Sequence, residues 1–518
     1  MSIRPTGRRM VIPPEACSPI SIDHPPLSIY EIPPGNSSKL RHRPPETTPR
    51  RPFVWPSFRI SLCDRRWKAG LIMDEIVTSM AAYAGSLRFE TIPAGVIHAA
   101  KQHLVDSLGC AIGGRNCDAA RMARQVAERS APAARVGRVL GSKAYASAES
   151  AAFINSSMIR YLDFNDTVHG GHPSDALGAV VAIADAAGAD GKRLLSALVV
   201  TYETAVRLIT SMRLRERGFD QGIAIGIAAA CGVGHMLTLA AEKIAHAIAI
   251  TAVANVPLRV TRVGQLSLWK GAATAFAARN AVFATLLAAE GMTGPESAFT
   301  GRNGVFEQVS GAFTLAPFGT EHLTPRVGFK FWPVENGAQA AVWAARELRT
   351  IAAPDDIASI EIATSRASLS EIGSGPEKWD PKTRETADHS LPYIFARAWV
   401  DGGITVASFD RGAYLDPALR PLMAKIAVRQ DDEIDRLFPA HVLMRVTAQD
   451  KRGGTRTIEV TDPRGHPANL MSDGEIADKF LGLAEPALGR PAAEVLEMLW
   501  RIEQEERAAR LFDRLEQE

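Results

Sequence analysis

Residues 92–114 read IPAGVIHAAKQHLVDSLGCAIGG and end on a pair of glycines. Apolar side chains recur in this stretch at four-residue spacings, at Val96, Ala100, Leu104 and Leu108. Such spacing places the apolar side chains along one face of a helix, and the two glycines are typical of a helix end. The stretch therefore predicts an α-helix that is packed along that face.

The same periodicity recurs through the part of the chain that follows residue 73. It predicts further helices over residues 147–161, 174–187, 192–212, 242–256 and 272–289. These segments are rich in alanine, so the helices can pack closely together. We therefore predict a mainly α protein, with a large all-α domain over residues 73–335.

The pattern changes after residue 335. Residues 357–362 and 441–447 alternate apolar and polar side chains, and residues 456–460 follow across a Gly-Gly turn, which predicts strands and one hairpin. Helical segments such as 393–400 lie between them, so we predict a smaller α+β lid domain over 336–469. A capping box at Ser472–Glu475 opens a last helical stretch, and residues 470–518 are expected to complete the first domain.

Length and composition set the class of protein. The 518 residues are too many for one core, and 46% apolar with 22% charged side chains is a globular balance. The net charge of +2 argues against a nucleic-acid partner. Residues 221–241 carry no charged side chain, but the stretch is mostly Ala and Gly with polar interruptions, so we predict a buried helix rather than a membrane span.

The N-terminal segment differs from the rest of the chain. Residues 1–72 hold 13 of the 32 prolines and 12 basic against 5 acidic side chains, which predicts a disordered extension or a start assigned too early. The five cysteines are scattered and form no CxxC pair. They favour a cytoplasmic protein without a thiolate metal cluster.

The densest polar cluster is residues 163–174, DFNDTVHGGHPS, between two predicted helices. Such a loop can direct Asp163 and His172 into a cleft. A helix-capping loop with surface histidines would have the same sequence pattern and is the alternative interpretation. A metallohydrolase is an alternative from another class, with Zn²⁺, Mn²⁺ or Fe²⁺ on ligands at Asp163, Asp166, His169 and His172. The His-x-x-His pair lies on a loop without the glutamate of a metalloprotease helix, so metal is the less favoured reading.

Several cations lie in apolar surroundings further along the chain. Arg259, Arg262 and Lys270 precede or begin a predicted helix, and Lys330 lies among aromatic residues in GFKFWP. Either lysine alone could simply extend its charge to solvent, but together the four favour a substrate that carries several carboxylates. His389 and Tyr393 add an imidazole and a phenol in the second domain, where capping and packing are their alternative roles. Dinucleotide, P-loop and serine-hydrolase motifs are missing from the sequence.

At these residues the sequence resembles the MmgE/PrpD family over about residues 74–489. The resemblance rests on eight short motifs: DSLGC at 106–110, LDFNDT at 162–167, GHPSD at 171–175, KGAA at 270–273, FKFWP at 329–333, TADHS at 386–390, DGGIT at 401–405 and HPAN at 466–469. It implies a large helical domain with a smaller lid, a homodimer, a cytoplasmic location, a role in propionate catabolism and no cofactor.

The resemblance also implies the site. The family's active-site positions fall on Asp163, Thr167, His172, Lys270, Lys330 and Tyr393. We expect His172 to act as the base, oriented by Asp163, and Tyr393 to be the proton donor. Lys270 is expected among the catalytic residues, holding a substrate carboxylate with Lys330. The expected substrate-binding residues are Thr167, Lys330, Arg259, Arg262 and His389.

Two departures bear on the reaction. The decarboxylase branch of the family has histidines where this chain has Asp220 and Glu335, whereas the LDFNDT and GHPSD motifs are similar to the methylcitrate dehydratases. The loop between Thr167 and His172 is shorter than theirs. We therefore expect a cofactor-independent lyase that dehydrates a 2-methylcitrate-like hydroxy acid. A decarboxylase or epimerase of a related polycarboxylate, a metal-dependent hydrolase and a non-catalytic carboxylate-binding protein are the alternatives.

Overall fold

The computed structural model describes residues 73–129, 136–489 and 491–516, and the predicted extension over residues 1–72 lies outside them. The described chain is mainly helical, as predicted. Its α-helices are α1 (Glu75–Ser86), α2 (Ala94–Gly113), α3 (Asp118–Glu128), α4 (Ala148–Tyr161), α5 (Leu177–Ala184), α6 (Gly191–Ser211), α7 (Gly222–Met236), α8 (Ala241–Ala254), α9 (Trp269–Ala289), α10 (Gln339–Ile351), α11 (Arg366–Ile372), α12 (Arg384–Ala387), α13 (Leu391–Asp401), α14 (Arg420–Met423), α15 (Asp432–Leu437), α16 (Asp473–Leu488), α17 (Pro491–Trp500) and α18 (Ala509–Arg514).

The helices predicted before residue 335 are all present, with one shortened start. Residues 174–187 were predicted as one helix, but Pro173–Ala176 form a 3₁₀ turn and α5 begins only at Leu177. Proline fits the first turn of a helix because it has no N–H to contribute. The 3₁₀ turn places His172 directly before a helical segment.

The first hydrophobic core surrounds α7, which packs on α6, α8 and α9. This helix lies in the uncharged stretch that was predicted to be a buried helix, and its apolar side chains are buried. A Cβ on Gly232 would lie 2.0 Å from the hydroxyl oxygen of Thr201 on α6. Glycine is therefore required for the close approach of the two helices.

Two helices, α6 and α9, have the length and apolar composition of membrane spans. In α6, 89% of the apolar window is buried inside the protein, and in α9 the share is 67%. Both helices contribute side chains to the first core.

The predicted hairpin belongs to a four-stranded sheet. The strands are β1 (Gly137–Arg138), β2 (Tyr145–Ala146), β3 (Ile357–Thr364), β4 (Ile426–Gln430), β5 (Leu443–Asp450) and β6 (Thr455–Thr461). β1 and β2 pair with each other, and the larger sheet has the order β4-β3-β5-β6. β5 and β6 form the antiparallel hairpin, whereas β4 pairs parallel to β3. Sequence reading missed β4, whose five residues are too few to show a clear alternation.

A second hydrophobic core lies between this sheet and the helices α10 and α13. Its large buried side chains include Phe395 and Trp399 of α13, and β3 contributes Ile360 and Ile362. The two cores share no residue, and the first core resumes at Met471 after the second ends at Ile458. The domain limits at residues 335 and 469 stay predictions.

The last long helix returns to the first core. Ser472 and Glu475 make the predicted capping box at the start of α16, which packs on α2. A Cβ on Gly109 of α2 would lie 3.2 Å from the ring of Phe480. α16 therefore lies directly against α2, so the last long helix belongs to the first core.

Candidate active site

A backbone bridge brings the polar loop beside the segment that carries Lys330. The Thr167 N–H donates to the Gly328 carbonyl oxygen and the Gly328 N–H donates to the Thr167 carbonyl oxygen, both at 2.9 Å. A Cβ at Gly328 would lie 2.6 Å from the carbonyl oxygen of Gly465. The bridge fixes the distance between the two segments, and Thr167 contributes to it through its backbone.

Asp163 lies at the centre of a cluster of cations. Its carboxylate pairs with Arg160 one turn earlier in the chain. The Lys330 Nζ lies 3.0 Å from Oδ1, and the Lys270 Nζ lies 4.0 Å from Oδ2. Burial alone would raise the pKa of Asp163, but Arg160, Lys270 and Lys330 together hold it well below its usual value. Asp163 is therefore an anion that holds the cations in place.

Lys270 contacts a carboxylate of the protein itself. Its Nζ donates to both carboxylate oxygens of Asp388, at 2.8 and 3.0 Å, and its side chain is 1% exposed. Asp388 in turn accepts a bond of 2.7 Å from Nδ1 of His389. The expectation that Lys270 binds a substrate carboxylate directly is not supported by these contacts, because the lysine instead orients Asp388 and, through it, His389.

His172 borders the cavity with one ring nitrogen fixed by the backbone. Its Nδ1 lies 2.7 Å from the carbonyl oxygen of Asp166, and its backbone N–H donates to the Gln221 side chain at 2.8 Å. A carbonyl can only accept, so Nδ1 carries the hydrogen and Nε2 keeps its lone pair. The predicted orientation of His172 by Asp163 is thus corrected: the Asp166 carbonyl orients the ring.

Both imidazoles of the site are held neutral. Burial, followed by the charges of Arg160 and Lys330, lowers the pKa of His172 well below its usual value. Burial, followed by the charge of Lys270, lowers the pKa of His389 to about 4. A neutral imidazole can accept a proton at neutral pH, as a general base must.

These side chains border a narrow cavity whose free space of about 360 Å³ includes volume that is open to solvent. Most of its lining is charged: it comprises Arg160, Asp163, Gly170, His172, Arg215, Asp220, Gln221, Arg259, Arg262, Lys330, Glu335, Glu371 and His389. The cavity brings Asp163 and His172 of the polar loop together with four predicted site residues that follow this loop in the chain: Arg259, Arg262, Lys330 and His389. Thr167 and His169 line a neighbouring cavity that shares His172 and Glu335 with the first.

The arginines differ in how fully the protein neutralises them. Arg262 donates to Asp220 at 2.6 Å, and Arg259 pairs with Glu371. Arg215 lies 3.9 Å from Glu371, and its side chain is 38% exposed. Arg215 is therefore the most weakly held of these three arginines and the one best placed to meet an incoming carboxylate.

Glu335 is a half-buried acid that lines the cavity. One of its oxygens accepts the Gly337 backbone N–H at 2.6 Å. Burial, followed by the nearby charge of Glu371, raises the pKa of Glu335, with Lys330 acting in the opposite direction. A carboxyl with a raised pKa can carry a proton close to neutral pH and donate it.

Tyr393 lies in the second core and is not among the residues that line the cavity. Its hydroxyl donates to the carbonyl oxygen of Ser408. Its pKa is raised, mainly by burial. This placement does not support the predicted role of Tyr393 as proton donor, and the resemblance alone carries that assignment.

The predicted metal ligands do not come together among the described residues. The His172 ring is bonded to the backbone, and an Asp166 oxygen accepts from the Ser174 hydroxyl at 2.5 Å. Asp163, Asp388 and His389 do lie close enough together to share an ion. The carboxylates of Asp163 and Asp388, however, already contact the ammonium groups of Lys330 and Lys270, which neutralise their charge.

Sequence reading missed several residues that build the site. Arg160 falls inside a regular helical pattern, and Gln221 and Glu371 stand in no recognisable motif. Asp388 was quoted within the TADHS motif, but its pairing with Lys270, 118 residues away, has no signal in one sequence. Charged residues at apolar positions of a helix, as at Arg160, are the signal that could have found such pairs.

The cavity with its mostly charged lining, on a mainly helical scaffold, is the candidate active site. The chain belongs to the MmgE/PrpD family: the profile of the MmgE/PrpD N-terminal domain matches residues 78–317, and that of the C-terminal domain matches residues 332–504. This confirms the resemblance inferred from the motifs.

Three relatives illustrate the similarity. A 2-methylcitrate dehydratase of Cupriavidus necator is 28% identical, over 79% of this chain and 84% of its own length. A 2-methylcitrate dehydratase of Escherichia coli is 30% identical, over 70% of this chain and 80% of its own. A cis-aconitate decarboxylase-like protein of Aspergillus oryzae is 26% identical, over 80% of this chain and 91% of its own.

Proposed function

We propose that this protein is a carbon–oxygen lyase that dehydrates a small hydroxy tricarboxylate similar to 2-methylcitrate. The observation that carries the proposal is the neutral His172, whose free Nε2 belongs to a cavity lined by arginines and Lys330. The names of the relatives support the same reaction. A base beside several cations is what the removal of a proton next to a carboxylate requires.

In the proposed reaction, Nε2 of His172 takes a proton from a carbon that is bonded to a carboxylate. The electron pair of that C–H bond forms the new C=C bond while the bond to the neighbouring hydroxyl breaks. Glu335 gives its proton to the departing oxygen, which leaves as water. Glu335 replaces Tyr393 as the donor in this proposal because Glu335 lines the cavity.

Lys330 stabilises the charge that develops on the carboxylate next to the reacting carbon. An ammonium group has three N–H donors. Two of them are directed to Asp163, at 3.1 Å to its carbonyl oxygen and 3.0 Å to its carboxylate. The third is available to the cavity that Lys330 lines. Arg215 and Arg259 are the proposed partners of the more distant carboxylates.

The decarboxylase reading is less well supported by the same cavity. The two positions at which the resemblance to that branch would place histidines hold Asp220 and Glu335, and Asp220 is neutralised by Arg262. This chain therefore lacks both of the imidazoles that the decarboxylase branch would have there. The dehydratase is therefore the reaction that these residues suit best.

Incubation of the purified protein with a panel of polycarboxylates tests the proposal. We expect 2-methylcitrate or a close analogue to give the ultraviolet absorbance of a conjugated alkene, without release of carbon dioxide. Turnover of cis-aconitate with release of carbon dioxide would favour the decarboxylase instead. Binding of the panel without any turnover would contradict the lyase and favour a carboxylate-binding protein.

We also propose that the protein is a cytoplasmic homodimer. The described cysteines, Cys110, Cys117 and Cys231, are buried free thiols, as in a reducing compartment.

The proposed dimer rests on an apolar surface. Exposed apolar side chains of α3 and α9, among them Val126 and Trp269, line a common groove, and such a surface suits a subunit contact. Light scattering of the wild type and of Trp269→Lys tests the dimer: a monomeric wild type would contradict it.

A further inference from the structure

We infer that Lys479 is a positioning residue of the active site, a role that rests on the proposed function. Lys479 lies on α16 and is 4% exposed, and it is not among the residues that line the cavity. It acts through hydrogen bonds to the backbone of the two segments that carry Asp163 and Lys330.

The Lys479 ammonium group makes two hydrogen bonds and one ion pair. Nζ donates to the carbonyl oxygen of Phe164 at 2.6 Å and to that of Lys330 at 2.9 Å. The carboxyl of Asp106 on α2 lies 2.5 Å away, and Nζ also lies 4.0 Å from the centre of the Phe164 ring. Both hydrogen bonds of the ammonium group therefore go to backbone atoms of the site, and the carboxyl of Asp106 supplies the opposite charge.

The first of these backbone atoms lies beside a strained residue. Asp163 has φ +51°, a left-handed conformation that residues other than glycine adopt at a cost in free energy. The Phe164 carbonyl belongs to the next residue in the chain. A bond to this carbonyl restrains the backbone on the C-terminal side of Asp163, while the Arg160 pair restrains the side chain.

The second backbone atom belongs to Lys330 itself. One ammonium group thus bonds Phe164, the residue after Asp163, and also Lys330, whose side chain bonds Asp163 from 167 positions further along the chain. The Thr167–Gly328 bridge joins the same two segments a few residues away. The bridge and Lys479 together fix how Lys330 meets Asp163, and a shift of about 1 Å in such a geometry is enough to slow a reaction about 100-fold.

The chain offers a matched control for this residue. Lys101 lies on α2, like Asp106, and its Nζ donates to the Trp500 carbonyl oxygen at 3.0 Å and to Glu503 at 3.1 Å. It too ties α2 to the C-terminal part of the chain through one carbonyl and one carboxylate, and it does not line the cavity. Lys101→Met therefore removes a similar link without touching the site.

The experiment compares Lys479→Met with Lys101→Met by hydrogen–deuterium exchange and by kinetics. Because Lys479→Met leaves Asp106 without its cation, Lys479→Met with Asp106→Asn is the second variant. We expect faster exchange in the peptides that cover 162–172 and 326–332 in both Lys479 variants and unchanged exchange there in Lys101→Met. In the Lys479 variants we also expect kcat to fall at least tenfold and KM to change less than threefold. In the control Lys101→Met, kcat should change less than twofold.

Unchanged exchange in the two segments would overturn the inference, and so would a kcat within threefold of the wild type in a folded Lys479 variant. Equal losses of kcat in the Lys479 and Lys101 variants would assign both lysines a structural role only, and would overturn it too. A wild type that turns over no polycarboxylate would instead reject the proposed function. The exchange comparison needs no substrate and would still decide whether Lys479 holds the two segments.

Discussion

Lys270 and Asp388 form a buried ion pair between segments 118 residues apart, with Nζ 2.8 and 3.0 Å from the two carboxylate oxygens. The first belongs to α9 in the helical part of the chain, and the second precedes α13 of the second core. The pair is therefore one of the links that hold the His389 side of the cavity against the Asp163 side.

Loss of Lys270 is expected to affect both stability and turnover. Lys270→Met leaves the buried Asp388 with the longer contact of 3.4 Å to Arg384, and breaking a buried pair costs up to about 3–5 kcal/mol. The double variant Lys270→Met with Asp388→Asn should recover part of the free energy of unfolding. It should not recover the activity. We expect the activity to fall at least about tenfold because His389 loses its orientation. Denaturant unfolding and steady-state kinetics measure the two effects.

The control for Lys270 is the exposed pair of Lys382 and Asp380, whose side chains are 60% and 53% exposed. Lys382→Met should change the free energy of unfolding by less than about 1 kcal/mol. A Lys270→Met variant as stable and as active as Lys382→Met would show that the buried pair is dispensable.

His172→Asn removes the proposed base. General-base catalysis contributes about 10²- to 10⁴-fold, so kcat should fall within that range while KM changes much less. Circular dichroism would show that the variant is folded. A kcat reduced by less than about tenfold would assign the proton abstraction to another group, with His389 as the next candidate to be replaced.

The acid side of the pH profile reports on the same histidine. The base is active when unprotonated, that is above its pKa, and burial lowers the pKa of His172 well below 6.5. We therefore expect kcat/KM of the wild type to remain level as the pH falls through 6.5 and to decline only at lower pH. A half-maximal value close to pH 6.5 would indicate an ordinary, solvent-exposed imidazole as the base.

Glu335→Gln tests the proposed proton donor. The acid is active when protonated, that is below its pKa, and burial raises the pKa of Glu335. The wild type should lose activity as the pH rises through that raised pKa. The variant should have a kcat lower by about 10²-fold or more and should lack this alkaline decline. An unchanged alkaline limb in the variant would exclude Glu335 as its source.

Treatment with a strong chelator separates the proposed lyase from a metal-dependent hydrolase. We expect full activity after dialysis against the chelator and less than stoichiometric metal by elemental analysis, because Lys270 and Lys330 already neutralise the carboxylates of Asp163 and Asp388. Activity that is lost on chelation and restored by Zn²⁺, Mn²⁺ or Fe²⁺ would contradict the ammonium-based site.

The fold could be predicted where local periodicity determines it. The four-residue repeat of α2 and the hairpin of β5 and β6 are local patterns, and both were found close to their observed limits. β4 was missed because only its pairing with β3, more than 60 residues earlier, identifies it as a strand. Parallel pairing between distant segments leaves no local signal.

The site shows the same limit. The loop at 163–174 was found because its polar side chains are adjacent in the chain, and the structure places Asp163 and His172 on one cavity. The atom that orients His172 is a backbone carbonyl, which no side-chain pattern reveals. Lys479 has no signal either, because a lysine on an amphipathic helix reads as a surface residue until the fold places it against Phe164 and Lys330.

The packing of α16 on α2 has a consequence for how the protein is made. The ribosome synthesises α2, the polar loop and Lys330 well before residue 473, where α16 begins. Until α16 has left the exit tunnel, the first core lacks Phe480 and the backbone carbonyls of Phe164 and Lys330 lack their ammonium donor. The nascent chain can thus build the helices that precede α16 during translation, but it acquires a finished catalytic geometry only after residues 473–488 have left the ribosome.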